Sequence, residues 1–281
     1  MPYEAEISRS NPSCFIFLLD QSGSMADSFG GDPGAGLSKA QKVADSLNRL
    51  LQSLVLRCAR TEEVRDYFYV AVIGYGASVG SALKGSLAGR DLVPISQIAD
   101  NPLRVEDRVK KEDDGAGGLV DRKIQLPVWV EPTANNGTPM TQAFAKAKVL
   151  VQDWISAHSN SFPPVVVNLS DGEPTDGDPS STVDSIRQMS CADGTTLVFN
   201  LHCSSSTASR IMFPDSDIGL PDQFAKALFS MSSVLPMRAK EYAVTSYGLN
   251  VGEVPRGFVF NADIEAIIMA LDIGTRAANL R

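Results

Sequence analysis

The sequence predicts an α/β fold: a doubly wound, Rossmann-like, mostly parallel central sheet flanked by helices, with an insertion at one edge. Two observations predict it. Continuous apolar runs, "CFIFLLD" at 14–20, "YFYVAVIGYG" at 67–76, "PVVVNLSDG" at 164–172 and "TTLVFNLHC" at 195–203, read as strands buried on both faces. Between them lie segments whose apolar residues recur at helical spacing, so strand and helix alternate along the chain.

Each element has its own signal. After the first strand comes a Gly-rich loop, "SFGGDPGAGLS", expected to be mobile. Ser38 can then cap a helix whose stripe is Val43, Leu47, Leu50, Leu51 and Leu54. Residues 77–123 are rich in Gly, Asp, Lys and Arg and include the charge run "RVEDRVKKEDDGAGG". They read as loops and short hairpins with a solvated charged surface, inserted at one edge and too poor in apolar residues for a core of their own. "KIQLPVWVEP" follows, with Pro127 suited to an edge position.

"GTPMTQAFAKAKVLVQDWI" is a helix with Met140, Ala143, Phe144, Ala147, Leu150, Val151 and Trp154 on one face. Asp178-Pro179 marks the start of another, carried by Val183 and Ile186. A helix through Phe224, Leu228 and Met231, one over "MRAKEYAVTSY", a short strand "GFVF" and a last helix with Ile264, Ile267, Ile268 and Leu271 complete the alternation. The 281 residues are expected to form one domain, with 77–123 inserted within it.

Composition narrows the function. A hydrophobic content of 43% and a charged content of 21% suit a soluble globular chain. The net charge of −8, with no focused basic cluster, argues against nucleic acid as a partner. Cys14, Cys58, Cys191 and Cys203 are far apart and form no C-x-x-C pair, which fits a reducing compartment. The first residues are too polar for a secretory signal, and no apolar stretch approaches the roughly 18 residues of a membrane span. A cytoplasmic protein that does not use the membrane is expected.

The chemistry concentrates at strand ends, where ligands bind in open α/β sheets. "DQSGSM" at 20–25 places Asp20, Ser22 and Ser24 at alternate positions directly after the first strand. Such a turn serves a helix cap or backbone turn as readily as a cation. "NNGTPM" places Thr138 at a helix start, and Asp171 leads "DGEPTDGD" after the "PVVVNLS" strand. Together the three loops offer two carboxylates and three hydroxyls, oxygen donors suited to Mg²⁺ or Ca²⁺. Asp176 reads as a turn residue, Asp178 as a helix cap and Glu173 as a rim residue.

"DQSGSM", "NGTPMTQAF" and "VVVNLSDGEPTDG", in this order, resemble a von Willebrand factor type A (vWA) domain with a metal-ion-dependent adhesion site. The resemblance covers residues 13–76 and 124–275. It implies that Ser22, Ser24 and Thr138 contact a Mg²⁺, with Mn²⁺ or Ca²⁺ as alternatives. Asp20 and Asp171 then act directly or through water. It further implies a non-enzymatic role, in which the cation bridges to an Asp or Glu of a protein partner, and in some members a coupled shift of the Thr138 helix. Stand-alone members of this kind resemble bacterial proteins that act beside AAA+ ATPases, kinases or phosphatases in stress-response systems. Asn136 stands where a second glycine is frequent in such loops.

Two rival readings remain. Ser78 lies in "GASVG", which matches G-x-S-x-G, and Ser78, Asp171 and His202 follow the chain order of an α/β-hydrolase triad. The segment after Ser78 lacks the helix that an elbow requires. The other rival is a scaffold that keeps the motif without the ion. Neither "GAGLSK" nor "GYGASVG" fits a phosphate loop. His158 reads as a surface residue, and His202 and Cys203, adjacent on a strand, should face opposite sides.

Overall fold

The computed structural model describes residues 3–28, 36–61, 63–113, 119–203 and 209–275. Residues 29–35 of the Gly-rich loop and residues 114–118 of the charge run lie outside them. The order of the main elements is β1 (Ser13–Asp20), α1 (Lys39–Cys58), β2 (Phe68–Tyr75), β3 (Val79–Ser81), β4 (Val93–Pro94), α2 (Ile95–Asp100), β5 (Arg104–Asp113), β6 (Leu119–Val128), α3 (Met140–Ala157), β7 (Val165–Ser170), α4 (Ser180–Gln188), β8 (Leu197–His202), β9 (Ile211–Met212), α5 (Gln223–Met231), α6 (Met237–Tyr247), β10 (Phe258–Phe260) and α7 (Ile264–Thr275).

The main sheet runs β9-β10-β8-β7-β1-β2-β3, with β4 also pairing to β2. The five strands β10, β8, β7, β1 and β2 are mutually parallel, and β3, β4 and β9 add to them antiparallel. This is the α/β, mostly parallel sheet that the apolar runs predict.

Alternation along β1 divides the core. Phe15, Phe17 and Leu19 point into the layer that holds Leu47, Leu51 and Leu54 of α1 and Ile267 and Leu271 of α7. Cys14, Ile16 and Leu18 point to the opposite layer, with Met140, Phe144 and Trp154 of α3 and Leu228 of α5. Every residue of β1 is buried, as a strand covered by helices on both faces must be. His202 and Cys203 do face opposite layers: Cys203 joins the α1 side, while His202 stacks on Phe260 at 5.1 Å.

Residues 77–123 differ from the expected loops and short hairpins. Most of the charge run forms β5, paired in antiparallel register with β6 as one ten-residue ribbon that continues to Val128. Its charged residues pair along the strand. Arg104, Glu106 and Arg108 lie at alternate positions on one face, and Glu106 accepts from Arg104 at 2.8 Å and from Arg108 at 2.8 Å. Pro127 lies in β6, where a two-stranded ribbon makes every position an edge.

The apolar residues of this region are not idle. Leu83, Leu87, Val93, Ile95 and Ile98 join the α1 side of the core. The ribbon is fastened to α1 by Asn48, which is 2% exposed. Its side chain accepts from the Trp129 and Val130 amides at 2.9 and 3.1 Å and donates to the Val130 carbonyl at 2.9 Å. All four cysteines are free and buried. Among the described residues no helix is long and apolar enough to cross a membrane.

Candidate functional site at the carboxyl edge of the sheet

β1 ends on Asp20, which is 2% exposed. One carboxylate oxygen accepts from the Ser22 amide at 2.9 Å, so the turn reading of this loop is part of the structure. The other accepts from the Ser170 hydroxyl at 2.8 Å, at the end of the neighbouring strand β7. Burial raises the Asp20 pKa, and the bonds from Ser22 and Ser170 oppose that rise. A single turn of 3₁₀ helix, Gly23–Ala26, follows, with Met25 buried beneath it.

That turn carries the hydroxyls inward. Ser22 Oγ and Ser24 Oγ are 3.1 Å apart, and Ser24 Oγ donates to Asp171 Oδ1 at 2.8 Å. Thr138 comes from the third loop and is 5% exposed. Gly172 sits between: a side chain there would bring its Cβ to 3.8 Å from both Ser24 Oγ and Thr138 Oγ1. The absent side chain leaves a small cradle between the hydroxyls of two loops, beside Asp171.

Main-chain bonds fix the three loops to one another. Asn135 N donates to Gln21 O at 2.7 Å, and Gly23 N donates to Asn136 O at 2.9 Å. Asn136 has φ +59°, a left-handed conformation that asparagine tolerates better than most residues, which explains its presence where glycine is frequent. Thr138 N donates to Thr175 Oγ1 at 2.9 Å, and Thr175 N donates back to Thr138 O at 2.9 Å. Gly137 permits that clasp, because a Cβ there would stand 2.9 Å from Thr175 Oγ1.

Asp176 corrects its expected role as a turn residue. Its carboxylate accepts from the Thr141 and Gln142 amides at 3.0 and 2.9 Å, capping the first turn of α3 from a different loop. Pro139, at the cap position itself, offers no side-chain bond. Asp178 accepts from the Ser180 amide at 2.9 Å at the start of α4, and Glu173 is exposed at the rim.

One side chain was not anticipated. Lys39, the first residue of α1, is 3% exposed, and its ammonium donates to Asp171 Oδ2 at 2.5 Å. Asp171 thus spends one oxygen on Ser24 and the other on Lys39. Ser170 and Thr175 were also missed as residues that orient Asp20 and Thr138. Their signal was proximity: Ser170 directly precedes Asp171, and Thr175 lies in the same loop. Below the site, Tyr75 donates to Asn168 at 2.6 Å, Asn168 to Asn200 at 3.1 Å and Asn200 to Ser232 at 3.0 Å, a buried polar chain across the sheet.

The hydrolase constellation does not assemble. Ser78 occupies an exposed turn between β2 and the antiparallel β3, with no helix after it. β1 and β7 run between β2 and β8, so three strand spacings set the ends that carry Ser78 and His202 about 14 Å apart. His202 packs on Phe260 and Phe224 instead, and burial pushes its pKa down to about 4. His158 is half-buried and stacked on Trp154 at 3.9 Å rather than free on the surface.

Among the described residues no group of three or more His, Cys, Asp or Glu side chains forms a metal cluster. The donors that do converge are two carboxylates with three hydroxyls, an all-oxygen set that fits a hard divalent cation. The cradle left by Gly172 fits the same reading.

No protein-family model matches the chain, and no curated protein matches it. Solved structures similar to it include VWA2, the ArnB paralog from Sulfolobus acidocaldarius, at 13% identity over 68% of this chain and 35% of that one, TM-score 0.34. They include the vWF domain of the type V pili tip protein Mfa5 from Porphyromonas gingivalis, at 15% identity over 58% and 39%, TM-score 0.31. Manganese-loaded TRAP protein from Plasmodium vivax is similar at 16% identity over 68% and 57%, TM-score 0.32. The chain therefore spans between 35% and 57% of the length of these three.

Proposed function

We propose that this chain is a vWA-like module that docks a protein partner through a divalent cation, and that it acts by binding rather than by catalysis. The observation that carries this reading is the convergence of three loops, separate in sequence, on one cluster of oxygen donors around Gly172. Ser22, Ser24 and Thr138 would hold the cation, Mg²⁺ in the first instance, with Asp20 and Asp171 directly or through water. A bound cation supplies an electrophilic position that takes a carboxylate oxygen from the partner.

The protein's own residues prepare that position. Ser170 and the Ser22 amide hold Asp20 in one orientation. The Thr138–Thr175 clasp fixes the threonine loop to the aspartate loop. The hydroxyl donors add no charge, so the ion keeps much of its own. The partner is a protein presenting Asp or Glu, neither nucleic acid nor membrane. A cytoplasmic setting beside the AAA+, kinase or phosphatase components of a bacterial stress-response system follows by analogy with the family that the motifs resemble.

Calorimetric titration of Mg²⁺ and Mn²⁺ into chelator-stripped protein tests the reading, with Asp20→Ala alongside. Saturable one-site binding that the variant loses is the expected result, followed by chelator-sensitive capture of the partner. Equal metal affinity in both proteins would refute the site.

A further inference from the structure

A lysine at the start of a helix is ordinarily a solvated residue. Lys39 is not, and its position is unfavourable on two counts. It opens the 20-residue helix α1, where the aligned peptide dipoles present their positive end and disfavour a cation. Its side chain is also only 4% exposed, so the ammonium has given up most of its hydration. What compensates is Asp171, whose side chain is fully buried and whose Oδ2 lies 2.5 Å from the ammonium. Asp27, on the outer side, has a carboxylate 3.9 Å from the same ammonium and is 66% exposed.

We propose that Lys39 is a tethered internal cation that neutralises the donor cluster when no divalent ion is bound, and that metal binding requires its ammonium to leave Asp171. This rests on the metal-site reading above and adds a gate to it. The two occupants draw on the same carboxylate, because Asp171 already gives Oδ1 to Ser24 and Oδ2 to the Lys39 ammonium. Asp20 and Asp171 carry two negative charges between them. The ammonium offsets one of them and a divalent ion offsets both, so a bound ion takes over the charge compensation that the ammonium supplies. Geometry supplies the exit, because the exposed Asp27 carboxylate, 3.9 Å from the ammonium, can receive it once displaced.

The gate lowers the apparent metal affinity by the fraction of molecules whose ammonium has moved out. It also keeps Asp171 from standing as an unpaired buried charge in the metal-free state. Anything that draws Lys39 outward, such as an acidic partner surface near Asp27, would then favour the metal-bound form.

The test compares wild type with Lys39→Met and Lys39→Gln by calorimetric titration of Mg²⁺, with thermal unfolding measured with and without the ion. The proposal expects Mg²⁺ to bind both variants about tenfold tighter or more than wild type. It also expects the variants to melt below wild type in metal-free buffer and to recover with Mg²⁺. A purely structural ion pair gives lower melting temperatures with and without Mg²⁺ and an affinity that is unchanged or weaker, which overturns the gate while leaving the metal site standing. Absence of Mg²⁺ binding in wild type and both variants overturns the metal site and the gate together.

The unaltered protein supplies a second reading should the variants fold poorly. Lys39 should resist an amine-reactive label in chelator, and its labelling, followed by peptide mass spectrometry, should rise as Mg²⁺ saturates the site. Protection unchanged at saturating Mg²⁺ overturns the proposal.

Discussion

Two regions of this molecule use the same charged groups to opposite ends. At the carboxyl edge of the sheet, Lys39 and Asp171 face each other with side chains 4% and 0% exposed. On the β5–β6 ribbon, Arg104 pairs with Glu106 and Glu131 at 2.7 Å, with side chains between 26% and 43% exposed. The distances are alike and the surroundings are not. The ribbon pairs can exchange a partner for water, and the edge pair cannot. Hence the ribbon charges add little energy, whereas the edge charges are held as a set.

The largest expected effect comes from breaking the edge set on one side. Asp171→Ala removes the close partner of the buried Lys39 ammonium, leaves only Asp27 at 3.9 Å, and should cost about 3 kcal/mol in urea unfolding. The double variant Asp171→Ala/Lys39→Met should cost less than the sum of the two single changes, because the orphaned charge is gone. A single-variant cost no larger than that of a ribbon pair would erase the distinction between the regions.

Next comes the fastening between α1 and the ribbon. Asn48→Ala removes the partners of the Trp129 and Val130 amides and the Val130 carbonyl, all beside a buried indole, and should cost about 2 kcal/mol. Hydrogen exchange at Trp129 and Val130 should quicken in the variant before exchange in β1 does. Unchanged protection at both amides would mean that the ribbon is held by other contacts.

A smaller, pH-dependent effect belongs to His202, on the α5 side of the edge. Burial lowers its pKa from 6.5 to about 4, Lys39 adds to that, and Asp222 and Asp171 oppose it. The unfolded chain therefore takes up the proton first as pH falls. The contribution to stability is complete above pH 6.5 and declines from there toward pH 4. Urea unfolding of wild type at pH 7 and pH 5 should show a loss that is shallower in His202→Gln. Parallel losses in the two proteins would assign the acid sensitivity elsewhere. The smallest effect should be Arg104→Ala, below about 1 kcal/mol despite two short contacts. A larger loss would set the exposed ribbon pairs beside the buried one.

What was legible in the sequence follows from this contrast. The apolar strands could be read because burial on both faces leaves no alternation, and the meeting of the Asp20 and Asp171 loops could be read because strand ends of an α/β sheet converge. The ribbon could not. Its residues are mostly charged, and the composition of 104–118 is that of a solvated loop. Lys39 was hidden for a related reason. One lysine after a capping serine looks like any solvated lysine, and only the meeting of α1 with the β7 loop buries it. Asn48 and Asp176 show the same limit: each satisfies backbone groups of a segment distant in sequence, which no local pattern records.

The central claim is that Ser22, Ser24, Thr138, Asp20 and Asp171 form one cation site at the sheet edge. Anomalous diffraction from crystals grown with saturating Mn²⁺ tests it most directly. The account predicts one strong manganese peak between the Ser24 and Thr138 hydroxyls, beside Gly172, with the Lys39 ammonium withdrawn from Asp171. A Lys39–Asp171 pair still in place, with no anomalous peak among the three loops, would contradict it.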